Sequence, residues 1–123
     1  MKKAYALVSL AFIGLVLSGC PKQSPPAAPG APAGPTVGMV GESLNFVVVT
    51  TDRESDSIRY RPDWGDALGD WSRLLASGES IAVGHTWFVR DTYAIRVLAE
   101  DMHGLASEWS SAHVVSIESL CRR

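Results

Sequence analysis

Cysteine is nearly missing from this chain: Cys20 and Cys121 stand near opposite ends, with none between them. A disulfide framework draws on an even set of cysteines spread through the fold, so none is expected, and the core must hold by burial. No Cys-x-x-Cys pair occurs, and no His/Cys spacing suits zinc. Basic charge is scarce too. Eleven Lys and Arg face thirteen Asp and Glu, and without Lys2 and Lys3 nine remain. A nucleic-acid binder needs a basic stripe for the phosphates, so no nucleic-acid partner is expected. The sequence also lacks a Gly-x-Ser-x-Gly elbow, a His-Glu-x-x-His pair and a phosphate-binding glycine loop. His85, His103 and His113 are scattered. No catalytic residue, no metal and no cofactor is therefore expected, and no enzyme activity.

What is present begins with an address. Met1-Lys2-Lys3 opens a segment whose apolar run, Ala4 to Leu17, suits a signal peptide and falls short of the ~20 residues of a membrane-spanning helix. It ends in Leu17-Ser18-Gly19-Cys20. That tetrad resembles the bacterial lipobox: a branched apolar residue, two small residues and a cysteine that is acylated. The resemblance implies a signal peptide at 1–19, lipid attachment at Cys20, and export to a membrane-anchored position. Pro21 follows Cys20 where an aspartate would mark inner-membrane retention, which favours the outer membrane or cell surface.

Pro21 to Pro35 holds six of the seven prolines, interleaved with alanine and glycine. Such a stretch is expected to make neither ladder nor core and to act as an extended linker over 20–36. Fully stretched, it would reach about 45 Å.

The domain is expected at 37–119, with a tail at 120–123. Apolar and polar residues alternate between turn signals, which is the pattern of an all-β, antiparallel sandwich. Leu44, Phe46 and Val48 mark one strand. Ile58 and Tyr60 mark another, with Arg59 and Arg61 on its opposite face. Trp71 to Leu75 reads as a short edge strand, and Ser80 to Trp87 as a strand with Ile81, Val83, His85 and Trp87 on one side. Tyr93, Ile95, Val97 and Ala99 give the clearest alternation, and Val115 and Ile117 the last. Pro62 lacks a ladder donor, so its strand is expected to end or bulge there.

Asp63-Trp64-Gly65-Asp66, His85-Thr86-Trp87, Thr92-Tyr93 and Asp101 to Gly104 fall in the order found in PKD-type immunoglobulin-like domains. The chain resembles these over about residues 38–118, and it is also similar to fibronectin type III-like domains, with Ser107-Glu108-Trp109-Ser110 before the last strand. Ala67 and Asp91 stand where the PKD pattern has glycine. The resemblance implies an immunoglobulin-like sandwich and places Tyr93 as a tyrosine corner, expected to be largely buried.

Three further readings concern surfaces. Arg59, Arg61 and Arg96 share an outer face, and Trp109 is expected to stack on at least one of them. Trp64, Trp71, Trp87 and Trp109 could form a sugar platform, although tryptophans at such positions are more often core or sheet cover. Asp52, Glu54 and Asp56, with Asp63, Asp66 and Asp70, could ligate calcium, although acids in β-turns usually cap backbone donors. The expected function is a lipid-anchored envelope protein presenting a binding or scaffolding module to a protein or glycan. The alternatives are a tethered carbohydrate-binding module and a small structural envelope lipoprotein.

Overall fold

The computed structural model describes residues 22–119. The expected signal peptide at 1–19, Cys20, and the expected tail at 120–123 with Cys121 lie outside them. Six strands form: β1 (Val37–Met39), β2 (Ser43–Val48), β3 (Ile58–Asp63), β4 (Ile81–Thr86), β5 (Asp91–Asp101) and β6 (His113–Glu118). Among the described residues there is no helix. One sheet has the order β1-β6-β5-β3 and the other pairs β2 with β4. All pairings are antiparallel except β1 with β6, which is parallel. The sheets pack as a sandwich, which is the expected architecture.

The period-2 pattern sets the inward faces. Leu44, Phe46, Trp64, Trp87, Ile95, Val115 and Ile117 fill one half of the core. Val48, Ile58, Tyr60, Leu75, Val97 and Ala99 fill the other, and Val83 packs against both. Burial of a side chain such as Ile95 or Val97, fully enclosed here, stabilises by roughly 1.5–3 kcal/mol.

β5 is the central strand. Its residues 91–95 pair with β6 and its residues 96–101 with β3. The stagger leaves two stretches of sheet edge without a strand neighbour. Along β3 the edge is closed by the 68–75 segment, through Leu75 N–H to Ile58 O (2.7 Å), Ile58 N–H to Leu75 O (2.8 Å) and Gly69 N–H to Pro62 O (2.8 Å). That segment is not the edge strand expected from Trp71 to Leu75; it meets β3 at isolated bridges, Ile58 with Leu75 and Asp63 with Leu68, and at single hydrogen bonds between them.

Pro62 neither ends nor bulges β3, which runs through it to Asp63, with Pro62 paired to Val97. The reason is directional. Backbone groups alternate sides along a strand, and those of Ile58 and Tyr60 face the edge. The donor that Pro62 lacks would face the edge too, so no ladder bond is lost.

The proline-rich segment also departs from expectation. From Ser24 it lies along the sandwich, with Ala27 N–H donating to Thr51 O (3.0 Å) and Ala33 bridging Val47 (2.9 and 2.8 Å). Pro26, Pro29 and Pro32 are buried. The edge of β2 is thereby covered, and β1, which the alternation did not reveal, follows directly.

Candidate functional site

The outer face of β3 and β5 brings two surface tryptophans together with three arginines. Arg59, Arg61 and Asp63 stand across from Glu100, Leu98 and Arg96. Arg59 holds Glu100 Oε1 with Nη2 at 2.6 Å and Nε at 2.9 Å. Arg96 lies 3.4 Å from Asp63 Oδ2, and Arg61 Nε donates to Gly69 O at 2.8 Å. The guanidinium of Arg96 sits over Trp109, 5.2 Å from the ring centre. Those of Arg59 and Arg61 sit over Trp71 instead, at 4.5 and 5.6 Å. The expected stacking on Trp109 thus holds for Arg96, while Trp71 takes the other two.

Serine fixes each of these tryptophans. Ser110 donates its N–H to Val97 O (2.9 Å) and accepts Val97 N–H on Oγ (2.9 Å). Ser107 does the same for Ala99, at 2.8 and 3.1 Å, and Ser72 for Tyr60, at 2.8 and 2.9 Å. One serine thus supplies the donor and the acceptor that a neighbouring strand would give. The tryptophan preceding Ser72 or Ser110 lies over the arginines of the sheet face. Sequence reasoning found Ser107 to Ser110 and missed Trp71-Ser72; the repeated Trp-Ser dipeptide was the available signal.

The corner at Asp63 to Asp66 is structural. Gly65 has φ of +91°, and a Cβ there would meet the backbone N and O of Ala94 at 3.3 Å. Glycine satisfies both constraints. Ala67 and Asp91 stand outside the left-handed region, so a side chain at either adds no strain of that kind. Trp64 and Trp87 are core, with Trp87 Nε1 donating to Trp64 O at 3.2 Å. His85 stacks on Trp64 at 4.8 Å, and its Nε2 lies 3.0 Å from Asp66 Oδ1. Tyr93 donates its hydroxyl to Val89 O at 2.6 Å, as a tyrosine corner does. It is half-buried, not largely buried, because its ring lies over Trp87, with centres 5.4 Å apart, near the end of the sandwich. Burial raises its phenol pKa above the ordinary value. A surface cavity of about 370 Å³ beside the corner is lined by Trp64, Leu68, Val83 and His85. Ser72, its hydroxyl-bearing wall residue, spends Oγ on Tyr60 N–H and Arg73 O.

The acids read as possible ligands separate into different roles. Asp63 caps Gly65 N–H (3.0 Å), Asp66 faces His85, and Asp70 is exposed. Glu54 accepts the Ser24 hydroxyl at 2.9 Å, and that bond holds its carboxyl below the usual range. Asp52 and Asp56 converge, joined by Asp101 from the next turn. Asp101 belongs to the Asp101 to Gly104 stretch of the PKD pattern and is not among the acids expected as ligands.

No family model matches the chain, and neither does any curated protein. Among solved structures, the chain is similar to the PKD domain of an M14-like peptidase from a Thermoplasmatales archaeon. The two are 36% identical, with a TM-score of 0.73, over 79% of this chain and 99% of that one. The CARDB domain of a Pyrococcus furiosus protein, solved in complex with di-metal ions, is 13% identical, with a TM-score of 0.58. It covers 81% of this chain and 99% of its own, and shares the fold alone.

Proposed function

The chain belongs to the family of PKD domains, and from that footing we propose a non-catalytic binding module held at the cell envelope by lipid on Cys20. Its binding face is the row of Trp71, Arg59, Arg61, Arg96 and Trp109, and the partner is a protein. The observation that carries this reading is the stacking of guanidiniums on two surface tryptophans. Tryptophan and arginine are the side chains that most often dominate interface energetics. A glycan platform fits less well, since Trp64 and Trp87 are buried and the other two rings each have a guanidinium over the ring.

Anchoring rests on Leu17-Ser18-Gly19-Cys20, and several acyl chains hold a protein where one binds only marginally. Because Ser24 is already bonded to Glu54, the four residues from Cys20 to Ser24 would reach at most about 12 Å. The domain then sits close to the membrane, not on a long stalk.

Cys20→Ser should move the protein out of the detergent phase, and unchanged partitioning would refute lipidation. Cross-linking in the expressing cells should capture a protein partner that Trp71→Ala/Trp109→Ala loses. Adducts unaffected by the double variant would reject the face. Retention on a glycan array that the double variant abolishes would replace protein with glycan.

A further inference from the structure

A bare sheet edge invites pairing with another chain, and natural domains cover or guard it. Here the edge of β2 is covered by Ala33, that of β3 by the 68–75 segment, and β1 is three residues long. β4 differs. It is six residues long, and among the described residues no strand pairs with its outer side.

The register fixes which of its groups point outward. Val47 exchanges both backbone bonds with Ala33, so it faces away from β4, and its partner Ala82 faces away from β2. Backbone direction alternates along an antiparallel strand, so the N–H and C=O of Ala82, Gly84 and Thr86 point to the open side. Among the described residues no backbone or side-chain group bonds to them there. Ser80 to Thr86 also holds no Lys, Arg, Asp, Glu or Pro, so neither a charge nor a proline guards the edge.

Inward of this edge lies the cavity of about 370 Å³ lined by Trp64, Leu68, Gly69, Asp70, Val83 and His85. It opens between β4 and the 68–75 segment, and Leu68 in its wall is 52% exposed. Its border is acidic. Asp70 stands in the wall, no lysine or arginine lines it, and His85 holds Asp66 on Nε2 at 3.0 Å. Arg61 reaches Gly69 O, with its guanidinium over Trp71.

We propose that the β4 edge accepts an extended segment of a partner protein as an added strand, with an apolar side chain in the cavity and a lysine or arginine two residues to either side. Backbone bonds to Ala82, Gly84 and Thr86 supply affinity, and alternate side chains supply selectivity. The residue set opposite Val83 points inward with it and enters the cavity. Residues two positions away point the same way and run past Asp66 and Asp70. A second copy of β4 suits the edge less well, because it would bring its own Asp66 and Asp70 to an acidic border. The edge belongs to the other sheet from the arginine-tryptophan row and does not rest on that reading.

The test uses the isotope-labelled full chain in detergent and two acetylated peptide amides, Thr-Lys-Thr-Ile-Thr-Lys-Thr and Thr-Glu-Thr-Ile-Thr-Glu-Thr, whose palindromic pattern serves either strand direction. At about 1 mM the lysine peptide should shift the amide resonances of Ala82, Gly84 and Thr86 and slow their hydrogen exchange. It should bind about tenfold tighter than the glutamate peptide, and less tightly as salt is raised. Ala82→Pro removes an outward N–H without touching a bond to β2, and it should abolish the shifts. If Ala82→Pro does not fold, Leu68→Arg carries the test; it sets a positive charge at the cavity mouth and should weaken the lysine peptide about tenfold. The site is overturned by unmoved β4 amides with both peptides, by shifts confined to Trp71 and Trp109, or by a response that both variants retain in full. Equal binding of the two peptides overturns the basic partner. Shifts of the β4 amides with protein concentration alone replace that partner with a second copy.

Discussion

Ser110→Ala tests how the sheet edge is closed. The substitution removes one oxygen and leaves the backbone bond from Ser110 N–H to Val97 O in place, so the segment keeps its register. What it orphans is the N–H of Val97, whose bond to Ser110 Oγ is buried. A buried donor left unpaired costs roughly 1–3 kcal/mol, against the ~0.5–1.5 kcal/mol net value of an ordinary hydrogen bond. Ser72→Ala removes the equivalent oxygen from Tyr60 N–H, but that bond is only part-buried and water can replace it. The expected cost there is below about 1 kcal/mol. Ser111→Ala, at an exposed position, should change stability by less than about 0.5 kcal/mol. Urea unfolding of the three variants against the parent resolves these values, and in a domain of this size each kcal/mol lowers the melting midpoint by about 4–8 °C. The m-value should not change, because the exposed surface on unfolding is the same. Equal losses in Ser110→Ala and Ser72→Ala would refute the claim that serine stands in for a buried strand.

The arginine-tryptophan pairing predicts a coupling energy of about 0.5–1 kcal/mol between Trp109→Ala and Arg96→Ala in a double-mutant cycle. Arg59 stacks on Trp71, so Trp109→Ala with Arg59→Ala should be additive within about 0.5 kcal/mol, and coupling in both cycles would contradict the geometry. Burial raises the Tyr60 phenol above its ordinary pKa of 10.0, and Thr50 N–H at 2.9 Å opposes that shift. A group whose folded pKa is raised contributes stability present below its unfolded pKa and lost as pH rises through the folded value. Tyr60→Phe should therefore flatten the alkaline loss of stability that begins near the ordinary phenol pKa of 10.0. Parallel curves for variant and parent above that pH would reject it.

Local pattern carried most of the strands, because one face of each is buried and alternation records it: Phe46 against Asn45, Val97 against Arg96. What it could not carry was juxtaposition between loops. Asp52, Asp56 and Asp101 meet because Ile58 is registered on Asp101, which sets the two turns side by side. No spacing along the chain encodes that register. The proline-rich segment failed for another reason. Composition shows correctly that it cannot make a ladder, yet an extended chain can still bury its rings and use its few N–H groups. Ala27 and Ala33 do so, and both occupy non-proline positions. Pro62 belongs to the same lesson: the penalty for a missing donor depends on which side of the strand it would face.

That register also orients the molecule. Arg59 pairs with Glu100 at the end of β3 that begins at Ile58, beside the three carboxylates, while Arg96 and Asp63 lie at the far end. Ser24 is bonded to Glu54 within the carboxylate-bearing turn. If Cys20 is acylated as proposed, the end of the sandwich that carries Asp52, Asp56 and Asp101 would be held near the bilayer, with the row from Trp71 to Trp109 along the side of the sandwich. A partner approaching parallel to the membrane would meet that row directly.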